Sequence, residues 1–203
     1  MTTRDSTAAI VLAGGASSRF GADKLAVELD GRPLLHHALA AVDEVTGLIV
    51  IVLAPDAATP VLPRLRAHIR VAHDLAAHRG PLAGLRAGLA SLAPSVERVV
   101  LVGGDMPSLV PEVLRLPLDA LDADPSPATA TLEADPPAVL PMALRPARVT
   151  PVAAALLGED RRALRGVLLG TTTALVPAAA WRALDPDART LRDVDTRRDL
   201  TDR

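Results

Sequence analysis

The chemistry-bearing side chains of this chain begin in the stretch Leu12-Ala13-Gly14-Gly15-Ala16-Ser17-Ser18-Arg19-Phe20-Gly21-Ala22-Asp23-Lys24-Leu25. Small residues let a phosphate approach the backbone, whose N–H groups can converge on an anion in such a turn. Arg19 and Lys24 add two cations close to the glycines. The combination suits a polyphosphate; the plainer alternative is an ordinary glycine-rich strand–helix turn. Glycines alone would favour that alternative, whereas Gly14, Gly15, Arg19 and Lys24 together favour phosphate. Two named phosphate loops are excluded. Lys24 is followed by Leu25 rather than Ser or Thr, so the loop is not of the Walker type. Gly14, Gly15 and Gly21 do not have the spacing of the dinucleotide fingerprint.

Carboxylates supply the complementary charge. Asp105 follows an apolar run and Gly103-Gly104 and precedes Met106-Pro107. A strand-end carboxylate beside a polyphosphate loop is placed to hold Mg²⁺, a hard ion that prefers one or two carboxylates plus phosphate oxygens. An aspartate opening the next helix is an equally ordinary reading of that residue alone. Asp193 and Asp195 flank Val194. On a strand they share one face, and two carboxylates on one face repel unless a cation lies near. A surface turn with a Thr196 helix cap is the alternative there. Asp74 closes another short apolar run. His36, His37, His68, His73 and His78 lack metal-ligand spacing, and neither Ser17 nor Ser18 has a local base. Arg145, Arg161, Arg162 and Arg165 form a candidate basic patch, or else solvated helix faces.

These residues need elements to position them. Apolar runs predict strands at Thr7–Ala13, Leu48–Leu53, Ile69–Ala72 and Arg98–Val102. Helices are expected at Leu34–Val42 behind Pro33, at Leu82–Ala90 behind Gly80-Pro81, and briefly at Pro63–His68. Gly84 and Gly88 fall on one helical face, open to close packing. Alternating strands and helices imply an α/β fold, a mostly parallel sheet with helices on both faces. Ligands of such sheets bind beyond the strands' carboxyl ends, where the 13–24 loop, Asp74 and Asp105 would gather. The second half is less regular. Loops around a short strand at Ala128–Leu132 are expected over Asp119–Pro137, strands at Ala138–Leu144, Thr171–Val176 and Thr190–Asp195, and helices at Val152–Leu157, Arg161–Leu168 and Arg197–Thr201. With no repeat or dividing linker, residues 1–203 read as one domain: a nucleotide-binding half to about residue 110 and an acceptor half from about 111 to 203.

Composition narrows the classes. The 203 residues suffice for a substantial core, and 49% are apolar. A net charge of −2 gives no general attraction to nucleic acid or membrane. Phe20 and Trp181 are the only aromatics, so stacking platforms for bases are absent. There is no cysteine, hence no disulfide or thiolate metal site; the cytoplasm fits, and no signal peptide or membrane span is expected. Oligomeric state has no signature.

Leu-Ala-Gly-Gly-x-Ser-x-Arg-Φ-Gly-x-Asp-Lys over residues 12–24, followed by Gly31-x-Pro33-Leu34-Leu35, resembles the opening of the MobA-like nucleotidyltransferases, and within them the molybdenum cofactor guanylyltransferases. The likeness is strong to Asp105 and looser beyond. It implies a three-layer Rossmann-like nucleotidyltransferase fold with a mostly parallel twisted sheet. It also implies GMP transfer from GTP to the phosphate of a molybdenum-molybdopterin acceptor, with release of pyrophosphate. By resemblance, Leu12, Ala13, Gly14, Gly15, Lys24, Asp74, Gly80 and Asp105 bind the nucleotide. Arg19, Lys24 and Asp105 serve catalysis, and Asp105 with Asp195 holds Mg²⁺. Leu12-Ala13-Gly14-Gly15 and Gly80-Pro81-Leu82-Ala83-Gly84 match the guanylyl rather than the cytidylyl pattern. Two departures stand against it. Val52-Leu53-Ala54-Pro55 lacks the asparagine that guanylyl members often carry, and Arg197 replaces the proline after the Asp-x-Asp-Thr motif. A relative using CTP or another phosphorylated acceptor, and a non-catalytic nucleotide-binding protein, are the alternatives.

Overall fold

The computed structural model describes residues 6–14, 24–74 and 80–200. The apolar run Thr7–Leu12 (β1) lies in the middle of a seven-stranded sheet. A two-strand hairpin follows, Glu28–Leu29 (β2) and Arg32–Pro33 (β3), and leads into helix Leu34–Asp43 (α1). Leu48–Leu53 (β4), His68–His73 (β5), helix Pro81–Ala90 (α2) and Arg98–Gly103 (β6) complete the first half. The second half contains helix Pro111–Ala123 (α3), Thr129–Leu132 (β7), Met142–Leu144 (β8), helices Pro146–Gly158 (α4) and Arg165–Gly170 (α5), Thr173–Val176 (β9) and helix Ala178–Leu184 (α6).

The strand order is β5-β4-β1-β6-β8-β7-β9. β1 pairs in parallel with β4 and β6, and β4 with β5. β8 is antiparallel to both β6 and β7, and β9 is parallel to β7. All but β8 therefore run the same way, and their carboxyl ends share one edge. The expected α/β class and mostly parallel sheet are what the chain forms.

Strand period divides the core into two layers. Ala9, Val11, Ile49, Ile51, Val100 and Val102 face α1 and α3. Ala8, Ile10, Val50, Val52, Val99 and Leu101 face α2 and α4. Gly84 and Gly88 bring α2 close to β1: a Cβ on Gly84 would lie 3.1 Å from Leu12 Cδ2, and one on Gly88 would lie 2.8 Å from Ile10 Cγ2. A third apolar group, Val113, Leu132, Val176 and Trp181, seats α6 beneath α3.

Several expectations fail. Residues 63–67 form no helix; Asp43 instead accepts hydrogen bonds from the Ala67 and Arg66 N–H groups at 2.7 and 3.2 Å, and the segment runs across the surface into β5. Asp119–Ala123 is the last part of α3 rather than loop, and α6 is a further unforeseen helix. The strand expected over 138–144 narrows to β8, and the helix expected from Arg161 begins at Arg165. Thr190–Asp195 is no strand: a 3-10 turn covers Arg189–Leu191 and extended, unladdered chain follows. Among the described residues no helix is long and apolar enough to cross a membrane.

Candidate functional site

The carboxyl ends of the four parallel strands build the site. Past β1, the Ala13 N–H donates to Val52 O at 2.8 Å, and past β6 the Gly104 N–H donates to Leu12 O at 2.9 Å. Both ladders thus continue one residue beyond the strands and fix where Ala13, Gly14 and Asp105 emerge. Gly14 lies against β4's exit, where a Cβ would sit 3.1 Å from Ala54 N. A Cβ on Gly103 would collide with Asp105 Oδ1, so glycine leaves room for the carboxylate to fold over its own strand.

Lys24 opens a short 3-10 turn, Lys24–Ala26. Its Nζ donates to Asp105 Oδ2 at 2.8 Å and to Asp195 Oδ1 at 3.0 Å, with only 12% of the side chain exposed. Burial works against the ammonium charge, but the hydrogen bonds and charges of Asp105, then Asp195, outweigh it and raise the Lys24 pKa above its ordinary value. The Val194 N–H donates to Asp105 O at 2.9 Å, and the Val194 side chain is buried with Leu29 and Leu34. This places Asp193 and Asp195 on the open side, as alternation of an extended chain requires, although no strand ladder is present. Asp199 Oδ2 accepts the N–H groups of Asp195 and Thr196 at 2.8 and 2.6 Å and fixes the turn behind them.

Oxygens of Asp105, Asp193 and Asp195 all lie within 4.8 Å of one another. Asp193 is open to solvent but sits in a protein-lined concavity. Partial burial, then the charges of Asp195 and Asp105, push its carboxyl up, with Lys24 opposing. Three hard oxygen donors balanced by one ammonium leave negative charge in excess, which fits a hard divalent cation such as Mg²⁺. Sequence reading named Asp105 and Asp195 for the metal; Asp193 joins them through the same extended segment.

The remaining candidates separate. Leu12, Ala13, Gly14 and Lys24 stand at the site, while Gly15 and Arg19 lie outside the described residues. Asp74 donates its N–H to Leu53 O at 2.9 Å, so it shares the edge. It lies beyond β5, however, three strand positions from β6, or about 14 Å at the usual strand spacing. It does not reach the Asp105 cluster. Gly80 starts α2 with φ +78°, a conformation suited to glycine, and a Cβ there would lie 2.9 Å from Arg162 Cβ. The Leu82 N–H donates to Arg162 O at 3.1 Å, so the start of α2 is seated on the second half.

Between the halves lies a cavity of about 710 Å³. Asp105 and Asp193 line it together with Arg162 and Arg165, and Met106, Leu140 and Leu191 supply apolar wall. Sequence reading did not foresee the cavity. Of the basic patch it named, Arg145 instead donates to Pro127 O at 3.2 Å, and Arg161 lies 4.0 Å from Glu159. Arg162 also pairs with Asp160 at 3.1 Å. His36, His37 and His73 bond to the carbonyls of Val61, Leu29 and Ala57, consistent with structural roles; His78 is outside the described residues.

The chain is similar to several known proteins. A probable molybdenum cofactor guanylyltransferase from Pyrococcus horikoshii is 36% identical over 106 residues, which is 52% of this chain and 52% of that protein. One from Trichormus variabilis is 37% identical over 132 residues, 61% of this chain and 58% of that protein. The chain thus spans about half the length of the curated relatives it matches. In fold it is similar to a molybdopterin-guanine dinucleotide biosynthesis protein A from Archaeoglobus fulgidus, with a TM-score of 0.74 at 22% identity over 96% of this chain and 95% of that one. It is similar, too, to a 4-diphosphocytidyl-2C-methyl-D-erythritol synthase from Anaerococcus prevotii, with a TM-score of 0.68 at 14% identity over 96% and 94% of the two chains. The model of the MobA-like NTP transferase domain matches residues 9–174, from β1 into β9, and the chain belongs to that family.

Proposed function

We propose that this protein is a nucleotidyltransferase that moves GMP from GTP to the phosphate of molybdenum-molybdopterin, releasing pyrophosphate. The observation that carries the transfer chemistry is the cluster of Lys24, Asp105, Asp193 and Asp195, at the edge where the small-residue loop leaves β1 and beside the cavity between the halves. The names of the relatives support GTP and a molybdopterin acceptor.

The chemistry asks for positioning and charge neutralisation. An anionic acceptor phosphate must attack an α-phosphate shielded by its own oxygens. The backbone of Leu12–Gly15 and the start of α2 at Gly80 would receive the nucleotide, with Asp74 at the nucleoside side of the edge. Lys24 and Arg19 would balance the triphosphate and the departing pyrophosphate. Asp105, Asp195 and Asp193 would hold Mg²⁺, which supplies further neutralisation at the phosphates. The cavity would take the acceptor, with Arg162 and Arg165 on its phosphate and the apolar wall against its body. Leu53, in the stretch that lacks the asparagine guanylyl members often carry, is 3% exposed and packed in the core, so base recognition would fall to backbone groups near Ala13 and Ala54.

The test is pyrophosphate release from GTP, Mg²⁺ and molybdenum-molybdopterin. Lys24→Ala and Asp105→Ala should each lose more than about tenfold in turnover, or ~1.4 kcal/mol of barrier. Near-normal turnover in either variant overturns those assignments. Binding of GTP without pyrophosphate release would mark a non-catalytic nucleotide-binding protein. Thermal shifts with all four NTPs test the base: greater stabilisation by CTP would overturn the choice of GTP.

A further inference from the structure

Lys24 does more in this geometry than wait for a phosphate. Its ammonium bridges two carboxylates that belong to distant parts of the chain, 81 and 171 residues away. It lies at 2.8 and 3.0 Å from them, the separation of charge-assisted hydrogen bonds, with little exposure. Asp105 is carried by the turn after β6 and Asp195 by the extended segment after the Arg189–Leu191 turn. Among the described contacts the two acids are joined through Lys24 and through the Val194 N–H to Asp105 O bond. Without a cation between them, Asp105, Asp193 and Asp195 would repel one another.

We propose that Lys24 is a tethered stand-in for the metal: it holds Asp105 and Asp195 together in the nucleotide-free protein and must leave them before a divalent cation is fully bound. This rests on the metal site proposed above. The carboxylate oxygens at stake are the same for both cations, so the metal on its own competes with an ammonium that is always present. A metal–triphosphate complex removes that competition, because the phosphates offer the ammonium new partners as the metal takes over its old ones. The consequence is an order of events. The free protein binds divalent metal weakly, and nucleotide and metal enter together. Lys24 then has two successive roles, first as organiser of the acidic residues and then as partner of the phosphates.

Binding of Mn²⁺ to the nucleotide-free protein, followed by the electron paramagnetic resonance signal of the free ion, tests this. Lys24→Met should bind Mn²⁺ about tenfold more tightly than the parent or better, a gain of ~1.4 kcal/mol. Lys24→Gln, a second neutral side chain, should do the same, and thermal melting of both variants shows that the fold is kept. Arg165→Met removes another cation from the same cavity and controls for general charge; its affinity should change less than about twofold, as expected of a screened, more distant charge. Addition of a non-hydrolysable GTP analogue should tighten Mn²⁺ binding in the parent more than in Lys24→Met. Equal affinities of parent and Lys24 variants, an equal gain in Arg165→Met, or no Mn²⁺ binding by the Lys24 variants would each overturn the proposal. Failure of the transferase reading appears separately, as no pyrophosphate release by the parent with any NTP and acceptor.

Discussion

Asp193 is a residue whose charge burdens the fold it belongs to. Its carboxyl pKa is raised by partial burial and then by Asp195 and Asp105. For an acid with a raised folded pKa, the penalty is absent at pH values well below the ordinary 3.8, grows as pH rises from there, and is complete above the folded value. Asp193→Asn should therefore raise the melting temperature of metal-free protein at pH 7, while weakening Mn²⁺ binding. Solvent screening limits the gain to about 0.5 kcal/mol, or roughly 1–2 °C. Differential scanning fluorimetry without divalent metal reads it, and an unchanged or lower melting temperature would refute it. Residue types and spacing made much of this centre legible. Lys24 stood out by following a small-residue loop, Asp105 by ending a buried run, and Asp193 and Asp195 by their two-residue period. Their convergence on one ammonium was not legible, since it depends on contacts across 81 and 171 positions.

The elements of the first half were readable because continuous β-branched runs alternate with proline-started helices. The failures have particular causes. α3 carries Pro117 in its interior and an acidic tail, which reads as loop. The spacing of Val113, Leu114, Pro117, Leu118 and Leu121, all buried, was the helical signal that could have revealed it. Thr190–Asp195 alternates like a strand but finds no partner ladder, because Val194 plugs a small satellite core instead. The glycine face of α2 was foreseen and supports a sharp prediction. Gly88→Ala should cost about 1–3 kcal/mol, because its methyl would press on fully buried Ile10. Gly158→Ala, at the open end of α4, should be neutral or stabilising by up to about 1 kcal/mol. Urea denaturation of the two variants provides the comparison; similar stabilities would refute the packing argument.

For the whole molecule, two buried carboxylates tie remote connections to the scaffold. Asp43 at the end of α1 accepts hydrogen bonds from Ala67 and Arg66, and Asp185 after α6 accepts the Thr190 N–H at 2.7 Å. Thr190 Oγ1 in turn accepts the Val110 N–H before α3, at 3.1 Å. Burial opposes both charges, but these N–H donors and the neighbouring Arg66 or Arg189 hold both carboxyls below the ordinary 3.8. For acids with depressed folded pKa values, the stabilisation is fully present above pH 3.8 and is lost as pH falls through the folded values. Stability measured by denaturant should therefore drop on the acid side of 3.8. Asp43→Asn and Asp185→Asn should each cost about 1–3 kcal/mol at pH 7 and flatten that acid limb. An unchanged limb in both variants would assign it to other groups. At this scale the parallel sheet, and the shared edge at which its strands end, followed from alternation alone. The reversed β8 and the cavity between the halves did not, because they depend on how an irregular second half folds back against β6.

The ammonium of Lys24 and the carboxylate of Asp195 meet although 171 positions separate them. On a ribosome adding about 5–20 residues per second, Lys24 is made roughly 10–30 s before its last partner. Within that interval the sheet around β1 and the turn that carries Asp105 can assemble, yet the acidic cluster has at most one of its three carboxylates until residue 193 is made. The acidic cluster is therefore completed late, by a few residues drawn back across a sheet already in place.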